Sequence, residues 1–124
     1  MGIGVDIVGT ERFAAVLART PSIVARVFTA EEVALCGGDR LRTDSLAARW
    51  AAKEAVAKVL VETVGLEWHD CQVLGGEHGQ PRLELRGTVE QAARSRGING
   101  WHVSLSHDGG MAVAFVVAVR TASR

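Results

Sequence analysis

The chain is poor in residues that would tie it to a special class. It has two cysteines, two prolines, no tyrosine, three tryptophans and three phenylalanines in 124 residues. Cys36 and Cys71 stand far apart with no C-x-x-C spacing. That argues against both a disulfide framework and a zinc site, and suits two reduced thiols of a cytoplasmic protein. No sign of charge is in excess. The 14 basic and 14 acidic side chains give a formal net charge of +0, so total charge points neither to nucleic acid nor to an anionic membrane surface. The longest apolar run, Met111 to Val119, falls well short of the roughly 20 residues that a membrane-spanning helix needs. The N-terminus, Met1-Gly2-Ile3-Gly4-Val5-Asp6, lacks the basic and long apolar regions of a signal peptide. Asp6 also breaks the myristoylation pattern. There is no internal repeat and no low-complexity tract.

What is present is ordinary globular material. Hydrophobic residues make up 48% and charged residues 23% of the chain, which sets aside disordered and collagen-like classes. The length is that of one domain, residues 1–124. A chain of this size buries roughly two-thirds of its unfolded surface, enough to fold without staples.

Periodicity and punctuation predict an α+β fold. Gly2 to Val8 reads as a strand, with Ile3, Val5 and Ile7 on one face and Gly4, Asp6 and Val8 on the other. Thr10 is placed to cap a helix over Glu11–Arg19, ended by Pro21. Thr29-Ala30-Glu31-Glu32 has the form of a capping box opening a short helix that stops at Gly37-Gly38. After a polar stretch, Asp44 or Ser45 caps the longest helix, carried to about Val64, with Gly65 following. Cys71–Leu74 and Arg82–Leu85 read as strands around a turn at Glu77-His78-Gly79-Gln80-Pro81. Thr88-Val89-Glu90-Gln91 is a second capping-box pattern, opening a helix that ends at Gly97. Trp101–His107 and Met111–Val119 form a hairpin about Asp108-Gly109-Gly110. The return strand is apolar on both faces. It therefore needs cover on both, one side from a helix and the other from a second subunit.

Two carboxylates stand out. Asp6 lies inside an apolar strand, where a half-buried pleated surface has no use for a charge. Glu54 lies in the long helix between Lys53 and Lys58. A buried carboxylate must be paired, hydrogen-bonded or bound to a metal, so the set points to a divalent cation bridging the protein to a phosphorylated ligand. Duller readings stand beside it. Glu54, Lys58 and Glu62 form an i, i+4, i+8 stripe that a solvated ladder of helical ion pairs would also produce, at about 0.3–0.5 kcal/mol each. Asp6 would equally serve as a structural acceptor at a turn. At 100° per residue, Leu46, Trp50, Leu60 and Val64 share one side of the helix. Arg49 and Lys53 are an i, i+4 like-charge pair, a local cost that an anion between them would explain.

Taken in order, these pieces resemble the holo-acyl-carrier-protein synthase family, the small phosphopantetheinyl transferases. The matching motifs are Gly2-Ile3-Gly4-Val5-Asp6-Ile7, Ala48-Arg49-Trp50-Ala51-Ala52-Lys53-Glu54-Ala55 with Lys58, and His102-Val103-Ser104-Leu105-Ser106-His107. A weaker one is Arg26-Val27-Phe28-Thr29-Ala30-Glu31-Glu32. The resemblance implies a 4′-phosphopantetheinyl transferase-like fold, an antiparallel sheet packed by a long helix and shorter ones, assembled as a homotrimer with interface active sites. It implies Mg²⁺-dependent transfer of the 4′-phosphopantetheine of coenzyme A to a serine of an apo acyl carrier protein, releasing 3′,5′-ADP in the cytoplasm. By analogy Asp6 and Glu54 ligate Mg²⁺, and Lys58 stabilises the pyrophosphate. Glu54, or a water beside it, takes the serine proton. Arg49, Lys53, Ser104 and His107 contact the coenzyme, while His102 lies on the other face. Arg12, with Arg19 and Arg26, forms a basic face for the acidic carrier, where complementarity raises encounter rate.

The chain departs from the family pattern in two places. Gly79-Gln80-Pro81 lacks the usual lysine, and Val61-Glu62-Thr63-Val64-Gly65 replaces a Gly-Thr-Gly. Two other functions use the same carboxylates. A Mg²⁺-dependent phosphohydrolase would turn over coenzyme A without a carrier, and a non-catalytic coenzyme-binding module would tolerate Glu54→Gln. A basic first helix favours a protein acceptor over water.

Overall fold

The computed structural model describes residues 1–61, 65–75 and 79–122. Expectations for Glu62, Thr63 and Val64 at the end of the long helix, and for Glu77 and His78 in the turn, lie outside the described residues. In chain order the elements are β1 (Gly2–Gly9), α1 (Thr10–Arg19), α2 (Ile23–Val27), α3 (Ala30–Leu35), α4 (Thr43–Leu60), a 3₁₀ turn at Trp68–Asp70, β2 (Cys71–Gly75), β3 (Pro81–Leu85), α5 (Gly87–Ser95), β4 (Gly100–Asp108) and β5 (Met111–Val119). Two antiparallel sheets result, one ordered β1-β5-β4 and one β2-β3.

The centre of the larger sheet is β5, the strand that is apolar on both faces. Its register against β1 runs from Gly2 opposite Ala118 to Gly9 opposite Met111, which sets Asp6 opposite Ala114. The β4–β5 hairpin closes through Gly109 and Gly110, with φ of 56° and 79°. Both lie in the left-handed region that a two-residue primed turn demands and glycine supplies freely. On its inner face the sheet carries Ala112, Ala114, Val116 and Ala118, all buried. Its outer face exposes Ile3, Val5, Ile7, Met111 and Phe115.

Helix α4 packs on the inner face across β1 and β5. Its contact surface is wider than the leucine–tryptophan sector predicted from spacing. Ala47, Ala48, Ala51, Ala52, Ala55 and Ala57 are buried together with Leu46, Val56 and Leu60. Small side chains nearly all round let the helix be enclosed by the sheet, by α1 and by the β2 region at once. The closest approach is at Gly4, where an added Cβ would sit 2.3 Å from the Ala55 carbonyl oxygen. The described helix ends at Leu60, and Val61 takes a left-handed conformation (φ 56°).

Caps followed the sequence in one case of four. Thr29 and Glu32 make the full reciprocal box at α3. Helices α1 and α4 begin earlier than predicted, after Gly9 and Arg42, and neither residue's side chain caps the helix. At α5 the predicted box does not form. Instead Asp70 Oδ2 accepts from both the Thr88 backbone N–H and the Thr88 hydroxyl, each at 2.8 Å. That cap comes from a residue 18 positions away, beyond the reach of a local pattern.

Candidate active site

Asp6 is carried to the site by strand alternation, which turns Gly4, Asp6 and Val8 towards α4 while Ile3, Val5 and Ile7 turn outward. Glu54 and Lys58 lie one helical turn apart on α4 and so share a face. Lys58 Nζ reaches back to β1, donating to Asp6 Oδ1 at 2.8 Å and to the Val5 carbonyl at 3.1 Å. The Asp6 side chain is only 11% exposed, against 57% for Lys58. The hydrogen bond with Asp6 raises the Lys58 pKa further above its ordinary value, so this cation stays charged.

The other oxygen, Asp6 Oδ2, is buried without a hydrogen-bond partner among the described residues. A buried polar atom left this way costs about 1–3 kcal/mol. Glu54 stands against the same carboxylate. Burial first, then the neighbouring Asp6 carboxylate, push its pKa from 4.5 up to about 7, with Lys58 pulling the other way. Two carboxylates that crowd each other, one with an orphaned oxygen, form a hard-oxygen donor pair suited to a divalent cation such as Mg²⁺. Among the described residues no third His, Cys, Asp or Glu joins them. The remaining positions around such an ion are therefore left to waters and substrate oxygens, the usual arrangement for Mg²⁺ at phosphate chemistry.

Two clefts open on either side of Glu54. One, of about 540 Å³, is lined by Glu54, Ala57, Lys58, Val61 and Trp68. The other, of about 260 Å³, runs along β1 and α1, with Asp6, Arg12, Phe13, Trp50 and Glu54 among its walls. Trp50 and Trp68 meet edge-on with ring centroids 4.8 Å apart. Trp50 therefore packs into the core and borders a cleft at once.

The remaining predicted residues fall into three groups. Arg12 joins the site from the first turn of α1, and Arg19 and Arg26 are exposed further along the α1–α2 segment. Arg26 donates to the Ser22 hydroxyl at 3.2 Å. Ser104 and His107 do not share a face. Ser104 pairs across from Phe115 on the outer side of the sheet, beside His102, whereas His107 pairs with Ala112 on the helix side. There its Nδ1 lies 3.8 Å from Asp44 at the start of α4. Arg49 is partly buried and donates to the Val73 carbonyl at 3.0 Å.

Lys53 requires a correction. The family resemblance places it against the coenzyme, yet it is 1% exposed and committed inside the protein. Its ammonium meets Glu32 Oε1 at 2.9 Å and donates to the carbonyls of Trp68, at 2.9 Å, and Cys71. The anion that meets Lys53 is the internal Glu32, while Arg49 goes to the Val73 carbonyl instead. Removing one partner of such a buried pair costs about 3–5 kcal/mol, because the other charge is stranded. Sequence reading missed Glu32 in this role because the same residue completes the α3 capping box, and one carboxylate does both. It also passed over Trp68, an aromatic in a polar stretch with no periodic signal.

The match to a family model described as the 4′-phosphopantetheinyl transferase superfamily spans residues 2–116. The holo-[acyl-carrier-protein] synthase of Frankia casuarinae is 58% identical over 95% of this chain and 96% of its own length. That of Salinispora arenicola is 51% identical over 97% and 98%. Among solved structures, the Helicobacter pylori holo-[acyl-carrier-protein] synthase in complex with coenzyme A superposes with a TM-score of 0.83 at 28% identity, covering 95% of this chain and 100% of the other. The enzyme of the same name from Neisseria meningitidis gives 0.85 at 26%, covering 96% and 98%. With an α+β fold, paired carboxylates beside a lysine and relatives matched over nearly their whole length, this chain belongs to the 4′-phosphopantetheinyl transferase superfamily, within its holo-[acyl-carrier-protein] synthases.

Proposed function

We propose that this protein, as one catalytic domain, transfers the 4′-phosphopantetheine arm of coenzyme A to a serine hydroxyl of an apo acyl carrier protein. The observation that carries the reading is the convergence of Asp6, Glu54 and Lys58 from positions some fifty residues apart, in a member of this family. In the step, the serine oxygen bonds to the phosphorus that carries the pantetheine arm, and the pyrophosphate P–O bond breaks. The electron pair leaves with 3′,5′-ADP, and the serine proton passes to a base. Glu54, on the helix face shared with Lys58, is the residue suited to take that proton directly or through a water beside it. Lys58, held by Asp6 and permanently charged, sits where it would hold the pyrophosphate and offset charge on the phosphoryl oxygens.

Asp6 and Glu54 are the residues that would hold Mg²⁺. When bound, the ion supplies charge neutralisation on the phosphate oxygens and template order for in-line displacement. The orphaned Asp6 Oδ2 and the mutual crowding of the two carboxylates support that assignment. Arg12, Arg19 and Arg26 are the carrier-docking face. Their exposure along α1 and α2, with Arg12 at the mouth of the cleft, supports the reading.

A homotrimer with shared sites is the assembly this reading favours. The apolar outer face of the sheet needs cover, and Ser104 and His107 lie on opposite faces of one sheet, as expected if a neighbour's surface completes each site. The two buried thiols and the absence of any described helix able to cross a membrane are compatible with a cytoplasmic enzyme.

The test is the intact mass of an apo acyl carrier protein incubated with this protein, coenzyme A and Mg²⁺, with and without EDTA. A metal-dependent gain of one phosphopantetheine arm supports the reading. Loss of coenzyme A without carrier modification would assign a phosphohydrolase instead.

A further inference from the structure

We propose that Lys53, next in sequence to Glu54, is a positioning residue for the coenzyme cleft. Through its buried pair with Glu32 it fixes the Trp68 backbone, and with it the aromatic wall facing Glu54 and Lys58. The inference rests on the transferase reading.

The argument starts from where the Lys53 donors go. One goes to Glu32 and two to main-chain carbonyls, those of Trp68 and Cys71. Glu32 is itself anchored, since Oε1 accepts from the Thr29 N–H at 3.0 Å and Oε2 from the Val73 N–H at 2.9 Å. The pair thus joins four segments that are remote in sequence: α3, α4, the 3₁₀ turn and β2. The ammonium also lies 5.6 Å from the Phe28 ring centroid. Packing alone does not require a charge here, because a well-packed apolar pair often replaces a buried ion pair without loss of stability. What an ammonium adds is direction. It pins particular carbonyls at hydrogen-bond distance from one point on α4.

The Trp68 carbonyl is one of those pinned groups, and the Trp68 side chain is a wall of the roughly 540 Å³ cleft whose other walls are Glu54, Ala57, Lys58 and Val61. Lys53 and Glu54 are consecutive on one rigid helix. The distance from the Glu54 carboxylate to the indole wall is therefore set on one side by α4 and on the other by the Lys53–Trp68 bond. Trp50 against the Trp68 ring then sets its tilt. A phosphopantetheine arm entering this cleft would meet the indole along its apolar chain and the Glu54–Lys58 pair at its phosphate end.

The experiment measures kcat, KM for coenzyme A and the calorimetric Kd for coenzyme A, with thermal melting, on the full chain. The variants are Lys53→Met/Glu32→Gln, which removes both charges together, Trp68→Ala, and the three substitutions combined. The charge-free pair variant is expected to melt near the wild type, with KM and Kd raised on the order of tenfold and kcat retained, the pattern of lost binding rather than lost chemistry. In the Trp68→Ala background the same pair substitution should raise KM no further, because the two act as one unit. A folded pair variant with unchanged coenzyme affinity would make Lys53 purely structural and overturn the proposal. So would losses that multiply in the triple variant. If the pair variant does not fold, Lys53→Arg takes its place, keeping the charge but moving its donors: a raised KM with kcat retained supports the proposal, and unchanged coenzyme affinity in that folded variant overturns it. Absence of transfer by the unaltered protein would instead count against the transferase reading.

Discussion

Gly4→Ala is the sharpest test of how this site is held together. The added Cβ would lie 2.3 Å from the Ala55 carbonyl oxygen and 3.0 Å from Val59 Cγ2. A carbon–oxygen contact settles near about 3.3 Å, so strand and helix must part by about 1 Å. The obstacle is main chain within a helix, not the tip of a mobile side chain. Overpacking of this kind costs about 1–3 kcal/mol. The catalytic consequence is larger than the structural one. Asp6 is two residues along β1 from Gly4, and Glu54 is next to Ala55, so the motion that relieves the clash separates the two carboxylates and pulls Lys58 off Asp6. A 1 Å error in a catalytic constellation can cost on the order of a hundredfold. The assay is the carrier-protein mass shift over a range of Mg²⁺ concentrations, with a thermal melt on the same sample. Gly75→Ala is the control, since an added Cβ there meets nothing within 4 Å among the described residues. Wild-type transfer rates and melting in Gly4→Ala would refute the claim that this close approach sets the site.

Other outcomes follow from the same geometry. Asp6→Ala and Glu54→Ala should abolish transfer while circular dichroism stays native, and full activity in either would remove that residue from the site. Because the Glu54 pKa is raised in the fold from 4.5 to about 7, the folded state holds more protons than the unfolded chain across that window. Metal-free protein should therefore lose stability as pH rises from about 4.5 to about 7. Asp6→Asn should flatten that dependence in pH-dependent melts, and an unchanged slope would contradict the crowding of the two carboxylates. Arg19→Glu and Arg26→Glu should raise KM for the carrier protein and weaken its salt dependence without changing the Kd for coenzyme A. An unaltered carrier KM would remove those arginines from the docking face. Phe115→Asp, on the exposed outer face, should convert a trimer to monomers in sedimentation and abolish transfer. A monomeric, fully active variant would show that one chain completes its own site.

Much of the architecture was legible because local chemistry decides it. An Asp-Gly-Gly turn between an alternating run and a continuous apolar one can hardly do other than form the β4–β5 hairpin. The Thr29–Glu32 box needs only four consecutive residues. The central, doubly apolar β5 announced that both its faces need cover. Asp6 was conspicuous because a carboxylate within an apolar strand must have a reason, and Glu54 because the family motif surrounds it.

What the sequence could not contain is which charges meet. Lys53 and Lys58 are similar lysines five residues apart, yet one is 1% exposed against Glu32 and the other reaches Asp6 from a side chain 57% exposed. Helical phase separates them, but only the packing of α3 and β2 behind α4 supplies a buried anion for the first. The α5 cap from Asp70, the indole wall of Trp68 and the opposed faces of Ser104 and His107 are likewise products of folding. Sequence determined the elements and the residue types that this chemistry requires, because propensity, turn geometry and periodicity act over a few residues. Tertiary structure alone decided the partner of each polar group, because a buried charge must be satisfied by whatever the whole chain brings within about 3 Å of it.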